Sequence, residues 1–266
     1  FPDEFFRLSG GVPENINSSF EFIVSLGSAT DLPASIDYRG VFGPVEKQNT
    51  NTKLCGSCWA FSAAGVVEGV YGWRTGGRQT VNLAKQELVD CASEHYGYKK
   101  CRGCGGGNAK EALRYVKEKG IALTAQYPYR MEDGHQCRQQ VTPRFIRPGA
   151  FQCARLPYGA SEDQLKTALK RFGPLSVVII ASDSQFRSYR KGVMTADTVD
   201  PKAKTRHVVV LVGYGTTADQ KPYWTIRNSW GSGWGEEGYG RLLRDPKSTS
   251  AREIDRYPVY ITDFKV

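Results

Sequence analysis

Residues 53–62 read KLCGSCWAFS, and the fates of Cys55 and Cys58 decide how the rest of the chain is read. Only Gly56 and Ser57 separate the two thiols, and a small apolar run follows. The chain holds seven cysteines: Cys55, Cys58, Cys91, Cys101, Cys104, Cys137 and Cys153. An odd number leaves at least one thiol over when the others pair. Three chemistries fit. A four-thiolate zinc site would join Cys55-x-x-Cys58 to Cys101-x-x-Cys104, but those halves lie more than twice as far apart as the common spacing of about 15–20 residues. A redox dithiol follows a strand in a βαβ unit, whereas EKQNTNTK, residues 46–53, is polar loop. In the third reading the pair is divided. Cys58 opens a helix, whose N–H groups and dipole favour a thiolate. Cys55 ties its loop elsewhere, toward the Cys101/Cys104 segment. Cys58 is then either a buried spare cysteine or a nucleophile that needs a base and an orienting group.

Composition sets the outer bounds. At 266 residues, 40% hydrophobic and 24% charged, the chain can bury a large core as one domain or two closely packed ones. The 36 Lys+Arg against 27 Asp+Glu give a net charge of +9. These cations are scattered, so they read as a solvated surface and not as a nucleic-acid site. No apolar stretch approaches the roughly 18 residues of a membrane span. The opening FPDEFFRLSGG lacks a leader pattern, and the expectation is a start after processing. Crowded cysteines between Cys91 and Cys153 point to bridged loops and an oxidising compartment. Asn17-Ser18-Ser19 is a glycosylation triplet.

Along the chain, residues 1–31 are rich in turn formers and read as an N-terminal extension or pro-segment remnant. Residues 32–140 read as mainly helical. CWAFSAAGVVEGVYGWRTGG predicts a helix ending at Gly76-Gly77; LAKQELVDC and GNAKEALRYVKEKG predict two more. Residues 141–266 open with a helix, SEDQLKTALKRFGP, in which Ser161 and Gln164 form a capping box. Strands follow at LSVVIIA, HVVVLVGYG, YWTIRNSW, YGRLLR and YPVYIT. Helices followed by strands predict an α+β protein of two packed lobes.

Three histidines are available as the base. His95 and His135 sit in polar loops and read as surface residues. His207 opens the apolar strand HVVVLVGYG, where it is either a base or a satisfied core histidine. Asn228 ends a strand before Trp230 and Trp234; it reads as a turn residue or as an amide that holds the imidazole in a dry place.

With these motifs assembled, the chain resembles the papain-like cysteine peptidases, in their cathepsin L-like branch. CGSCW, RHVVVLVGYG and RNSWGSGWGEEGY carry the resemblance in that order, with LPASIDYRG, KQELVDC, CGGGN, YPYR and RYPVY beside them. It spans about residues 32–260. The resemblance implies a helical left lobe and a β-barrel right lobe with the active-site cleft between them. It implies a thiol-dependent endopeptidase with Cys58 as nucleophile, its thiol well below the usual value of about 8.5. His207 is then base and acid, and Asn228 the orienter. Trp230 covers the His–Asn bond and Trp234 lines the leaving-group side. Gly106 and Gly107 make room for an extended substrate backbone. Ala109, Val178, Val208 and Ile254 line a pocket for a hydrophobic side chain two residues before the cut. For bridges it implies Cys55–Cys104 and Cys91–Cys137, which leaves Cys101–Cys153. No metal or cofactor is implied. Partners would be protein or peptide substrates and a pro-segment or cystatin-type inhibitor, with the protein a monomer.

Two positions depart from the family pattern. The oxyanion-hole glutamine belongs three residues before the first motif cysteine, where this chain has Thr52; Gln48 is the candidate, with an insert looped outward. Arg206 stands before His207 in place of the usual Asp or Asn, and a cation there disfavours an imidazolium or shifts the pH optimum. A catalytically silent peptide- or partner-binding homologue and a peptide ligase are the competing functions.

Overall fold

The computed structural model describes residues 22–23, 26, 31–197, 199 and 206–265. Six α-helices and nine strands occur among them: β1 Phe22–Ile23, β2 Ile36–Asp37, α1 Cys58–Arg74, α2 Lys85–Cys91, α3 Ala109–Lys119, β3 Gln152–Arg155, α4 Glu162–Phe172, β4 Leu175–Ile180, α5 Ser184–Arg187, β5 Val193–Met194, β6 Arg206–Thr216, β7 Pro222–Arg227, β8 Tyr239–Leu243, α6 Pro246–Ala251 and β9 Val259–Thr262. The architecture is α+β, with α1, α2 and α3 ahead of a sheet-rich second half.

Local chemistry explains the helix ends. α3 starts where the Asn108 side chain accepts the Lys110 N–H at 2.9 Å, and stops at Gly120, whose φ is +69°. The capping box of α4 has both halves: Ser161 Oγ accepts the Gln164 N–H and Gln164 Oε1 accepts the Ser161 N–H. α1 is apolar or small nearly all round, so it is buried on every side, from Cys58 to Val70.

The strands form one sheet in the order β1-β3-β9-β4-β6-β7-β8-β5, with β2 paired to β6. β6 is the axis. It is buried from His207 to Gly215, which is why its sequence is a run of valines and not an alternation. α1 crosses it closely. A Cβ on Gly65 would lie 2.8 Å from Val210 Cγ2. One turn earlier, Ser62 Oγ donates to Val209 O, and its contact with Ser176 Oγ is also 2.8 Å. Helix and sheet thus meet through a glycine and a serine.

Part of the N-terminal region is described. Phe22 pairs with Ala154 and Ile23 with Arg155, both in parallel, and Leu26 is buried. This pairing lies at the edge of the sheet, four places from β6 in the strand order. The remainder of 1–30, Asn17 included, lies outside the described residues.

Two disulfides are formed, Cys55–Cys104 and Cys91–Cys137. The third pairing, Cys101–Cys153, is corrected: both are free buried thiols, as is Cys58. The two sulfurs have different surroundings. Cys101 Sγ donates to Asn108 O at 3.7 Å, at the start of α3, whereas Cys153 lies on β3 opposite Ile261 of β9. Burial pushes each thiol up to about 12, so each stays protonated at neutral pH. Alkylation of unreduced, denatured protein should therefore label Cys58, Cys101 and Cys153 in peptide mapping. A linked Cys101–Cys153 peptide would contradict the structure.

Candidate active site

The loop before α1 sets the position of Cys58. Gly56 N–H donates to Cys104 O at 2.9 Å, and a Cβ at 56 would lie 2.7 Å from that oxygen. Only glycine lets this strap lie flat against residues 104–106, where Cys55–Cys104 staples it. Cys58 then opens α1, fully buried, among the unpaired N–H groups of the helix end.

His207 is the second residue of β6, and Asn228 follows the last residue of the neighbouring β7. His207 Nε2 stands 2.7 Å from Asn228 Oδ1. That oxygen also accepts the Ser229 N–H at 2.8 Å. An oxygen that receives the Ser229 proton must be the amide's carbonyl, so His207 Nε2 carries a hydrogen and Nδ1 holds the basic lone pair. Trp230 covers the imidazole at 5.1 Å between ring centroids, tilted by 32°. Phe186 of α5 meets His207 edge-on at 6.3 Å and Trp230 at 5.4 Å. Trp234 packs on Phe186 at 5.0 Å and donates its Nε1–H to Phe186 O at 2.9 Å.

This dry setting opposes either charge on its own. Burial pushes the Cys58 thiol up to about 12, although N–H groups of Val208, Trp59 and Cys58 itself pull the other way. Burial lowers His207 to about 4, against the upward pull of the Asn228 bond. For the thiol beside a neutral ring, burial outweighs the helix end and the amides. Opposite charges formed side by side offset each other's desolvation, and groups so placed titrate as a couple. The Val208 N–H reaches the Cys58 sulfur, so the nucleophile lies against the peptide that follows His207.

Gln48 is buried beside this group. Its Nε2 donates to Cys55 O at 2.9 Å, its Oε1 accepts the Ser229 hydroxyl at 2.6 Å, and its backbone N–H donates to Ser229 O at 2.8 Å. A side-chain amide has two hydrogens, so the bond to Cys55 leaves one for an oxyanion. Residues 50–54 project outward and are exposed. Asn49 Oδ1 accepts the Cys55 N–H at 2.6 Å, closing the excursion at its base.

The remaining candidates come from several elements. Gly107 lies on Trp59, where a Cβ would stand 2.4 Å from the indole; Gly106 has φ +108°. Val178 and Val208 are cross-strand partners. Ala109 opens α3, and Ile254 is fully buried in the turn after α6; those two are not register partners of the valines. A cavity of about 20 Å³, room for one water, lies between α1 and β6, lined by Asn228, Ser229, Ser62, Glu68 and Lys85 among others.

Three contributors escaped the sequence reading. Ser229 fixes Gln48, Phe186 walls the imidazole, and Tyr129 donates to Gln48 O at 3.0 Å while touching Ser57 Oγ at 2.5 Å. Asp183-x-x-Phe186, a capped turn, was a readable signal for the second; the other two depend on contacts across about 80 and 181 residues of chain.

Comparison with known proteins agrees with this geometry. The papain family cysteine protease model matches residues 32–262. Mouse (Mus musculus) cathepsin S is 41% identical over 224 residues, 82% of this chain and 60% of that protein. Mouse cathepsin K is 40% identical over 217 residues, 80% of this chain and 60% of that protein. The chain thus spans about three fifths of the length of these relatives. Bromelain from Ananas comosus, solved with the E64 inhibitor, superposes with a TM-score of 0.72 at 32% identity, covering 87% of this chain and 99% of its own.

The depressed value of His207 has a consequence for stability. Folding favours the neutral ring, so the unfolded chain takes the proton first as pH falls below 6.5. In Cys58→Ala, where no thiolate can compensate, about 3 kcal/mol should be lost between pH 6.5 and about 4. Urea midpoints across that range should show the slope, and adding His207→Leu should flatten it.

Proposed function

Because the chain belongs to the papain family of cysteine proteases, we propose that it is a thiol-dependent endopeptidase working through an acyl-enzyme on Cys58. The observation that carries this reading is the His207–Asn228 bond of 2.7 Å, beside a free sulfur at a helix N-terminus.

A substrate carbonyl enters above Cys58, and the sulfur's proton passes to His207 Nδ1. The sulfur attacks the carbonyl carbon, forming a C–S bond and placing the electron pair on oxygen. The Cys58 N–H and the second Gln48 amide hydrogen hold that oxyanion. Collapse breaks the C–N bond, and His207 gives its proton to the departing amine. Water then attacks the thioester, its proton goes to His207, and the C–S bond breaks. Asn228 keeps the imidazole aimed throughout, and Trp230 keeps water from their bond.

Val178, Val208, Ala109 and Ile254, all uncharged, favour a hydrophobic side chain two residues before the cut. The two disulfides fit an oxidising compartment, and secretion or a lysosomal/vacuolar location is part of the proposal. No helix among the described residues is long and apolar enough to cross a membrane. A pro-segment or a cystatin-type protein is the proposed inhibitor class.

Fluorogenic peptides with leucine or phenylalanine at that position should be cleaved in the presence of reductant. Carbamidomethylation of Cys58 should abolish cleavage, and Gln48→Ala should lower kcat by about 10²–10³-fold. Undiminished hydrolysis after Cys58 is blocked would refute the reading, as would transfer to added amines in place of water.

A further inference from the structure

The turn after α6 is tied to both elements that carry the imidazole and its wall, β6 and α5. Arg206 precedes His207 on β6, so strand alternation sends its side chain to the opposite face. There Arg206 Nε meets Glu253 Oε2 at 2.5 Å and Nη2 meets Oε1 at 2.8 Å, a two-pronged ion pair. The two side chains are only 18% and 13% exposed, so solvent screens the pair weakly. Glu253 adopts a left-handed φ of +60°, a conformation non-glycine residues seldom hold. Arg256 also donates to Glu253 Oε1.

The preceding residue points the other way. Arg252, buried to 1% exposure, meets Asp183 Oδ2 at 2.5 Å, Ile180 O at 3.2 Å and Thr195 O at 2.8 Å. Asp183 Oδ1 accepts the Phe186 N–H at 3.0 Å and so caps α5, whose phenylalanine walls His207 and Trp230. The backbones are joined as well: Ile180 N–H donates to Arg252 O, and Ile180 and Ile179 are the register partners of Arg206 and His207.

We propose that the turn Arg252-Glu253 is a positioning element for His207, in which Glu253 neutralises Arg206 behind the imidazole and Arg252 holds Phe186 against it. The proposal rests on the protease reading. It explains how a chain with arginine before its active-site histidine accommodates an imidazolium there. The polar and charged groups on the elements that hold the ring are Cys58 from α1, Asn228 after β7, Asp183 before α5, Arg206 on its own strand, and Arg252, Glu253 and Arg256 from the turn, with Tyr158 and Tyr257 facing Arg206. Arg252 and Asp183 cancel each other. Glu253 is the anion that Arg206 and Arg256 share, so removing it leaves two cations on that side.

An added positive charge favours the thiolate and disfavours the imidazolium, so it moves both limbs of a bell-shaped pH profile the same way. The test is kcat/KM against pH for a peptide substrate, with Cys58 alkylation by iodoacetamide as a second readout. Glu253→Gln should slide both limbs to lower pH by about half a unit. Arg206→Gln should slide them to higher pH, because it removes a cation and leaves Glu253 facing Arg256 alone. The double variant should lie between, and Arg206→Lys, which keeps the charge, should leave the limbs in place even if Glu253→Gln does not fold. Limbs that stay put in Arg206→Gln, or a lower maximum with unmoved limbs, would overturn the proposal. Failure of the unaltered protein to cleave peptide or alkylate at Cys58 would instead overturn the protease reading.

Discussion

Helix α1 and strand β6 touch because residue 65 has no side chain to hold them apart, and almost everything at the site follows from that contact. Cys58 belongs to the helix and His207 to the strand. Their separation is not set by the two residues but by the depth at which the helix from Cys58 to Gly65 sinks onto the strand from His207 to Val210. Ser62 adds a directional anchor, since its hydroxyl bonds to the strand backbone and to β4. A wider spacing would part the sulfur from the Val208 N–H and break the Ser62 anchor with it.

Close packing also determines the electrostatics. A crevice dry enough to shield an imidazole–amide bond is dry enough to resist charging its members one by one. In the proposed mechanism, proton transfer between Cys58 and His207 is the way through, because it creates opposite charges at short range in a medium of low polarisability. The aromatic wall therefore has two effects. It strengthens the bond that aims the imidazole, and in the proposed mechanism it makes charging of His207 depend on Cys58.

Much of this was legible in the chain, for identifiable reasons. α3 and α4 announce themselves through caps that act within three residues, and β6 through a valine run that only a doubly covered strand carries. The short strands β1, β2 and β5 have two residues each, too few for any periodicity, and exist only because a longer strand is there to pair with. The divided fate of Cys55 and Cys58 was readable from an odd cysteine count, while the Cys101–Cys153 pairing came from elimination, which carries no geometry. Ser229 was invisible because its partner, Gln48, is 181 residues away. Arg206 was visible as an anomaly, but its ion pair with Glu253 closes across 47 residues of chain.

The strap between Gln48 and Cys55 has a further bearing. Its two feet are tied to each other by the Asn49 side chain, and each foot is tied to the body by its own bond, Gln48 to Ser229 and Cys55 to Cys104. Such an outgrowth is mechanically insulated from the catalytic centre. Lineages could lengthen, shorten or decorate its crown while the amide and the sulfur beneath stay where they are, and an engineer could graft a reporter or affinity sequence there on the same grounds.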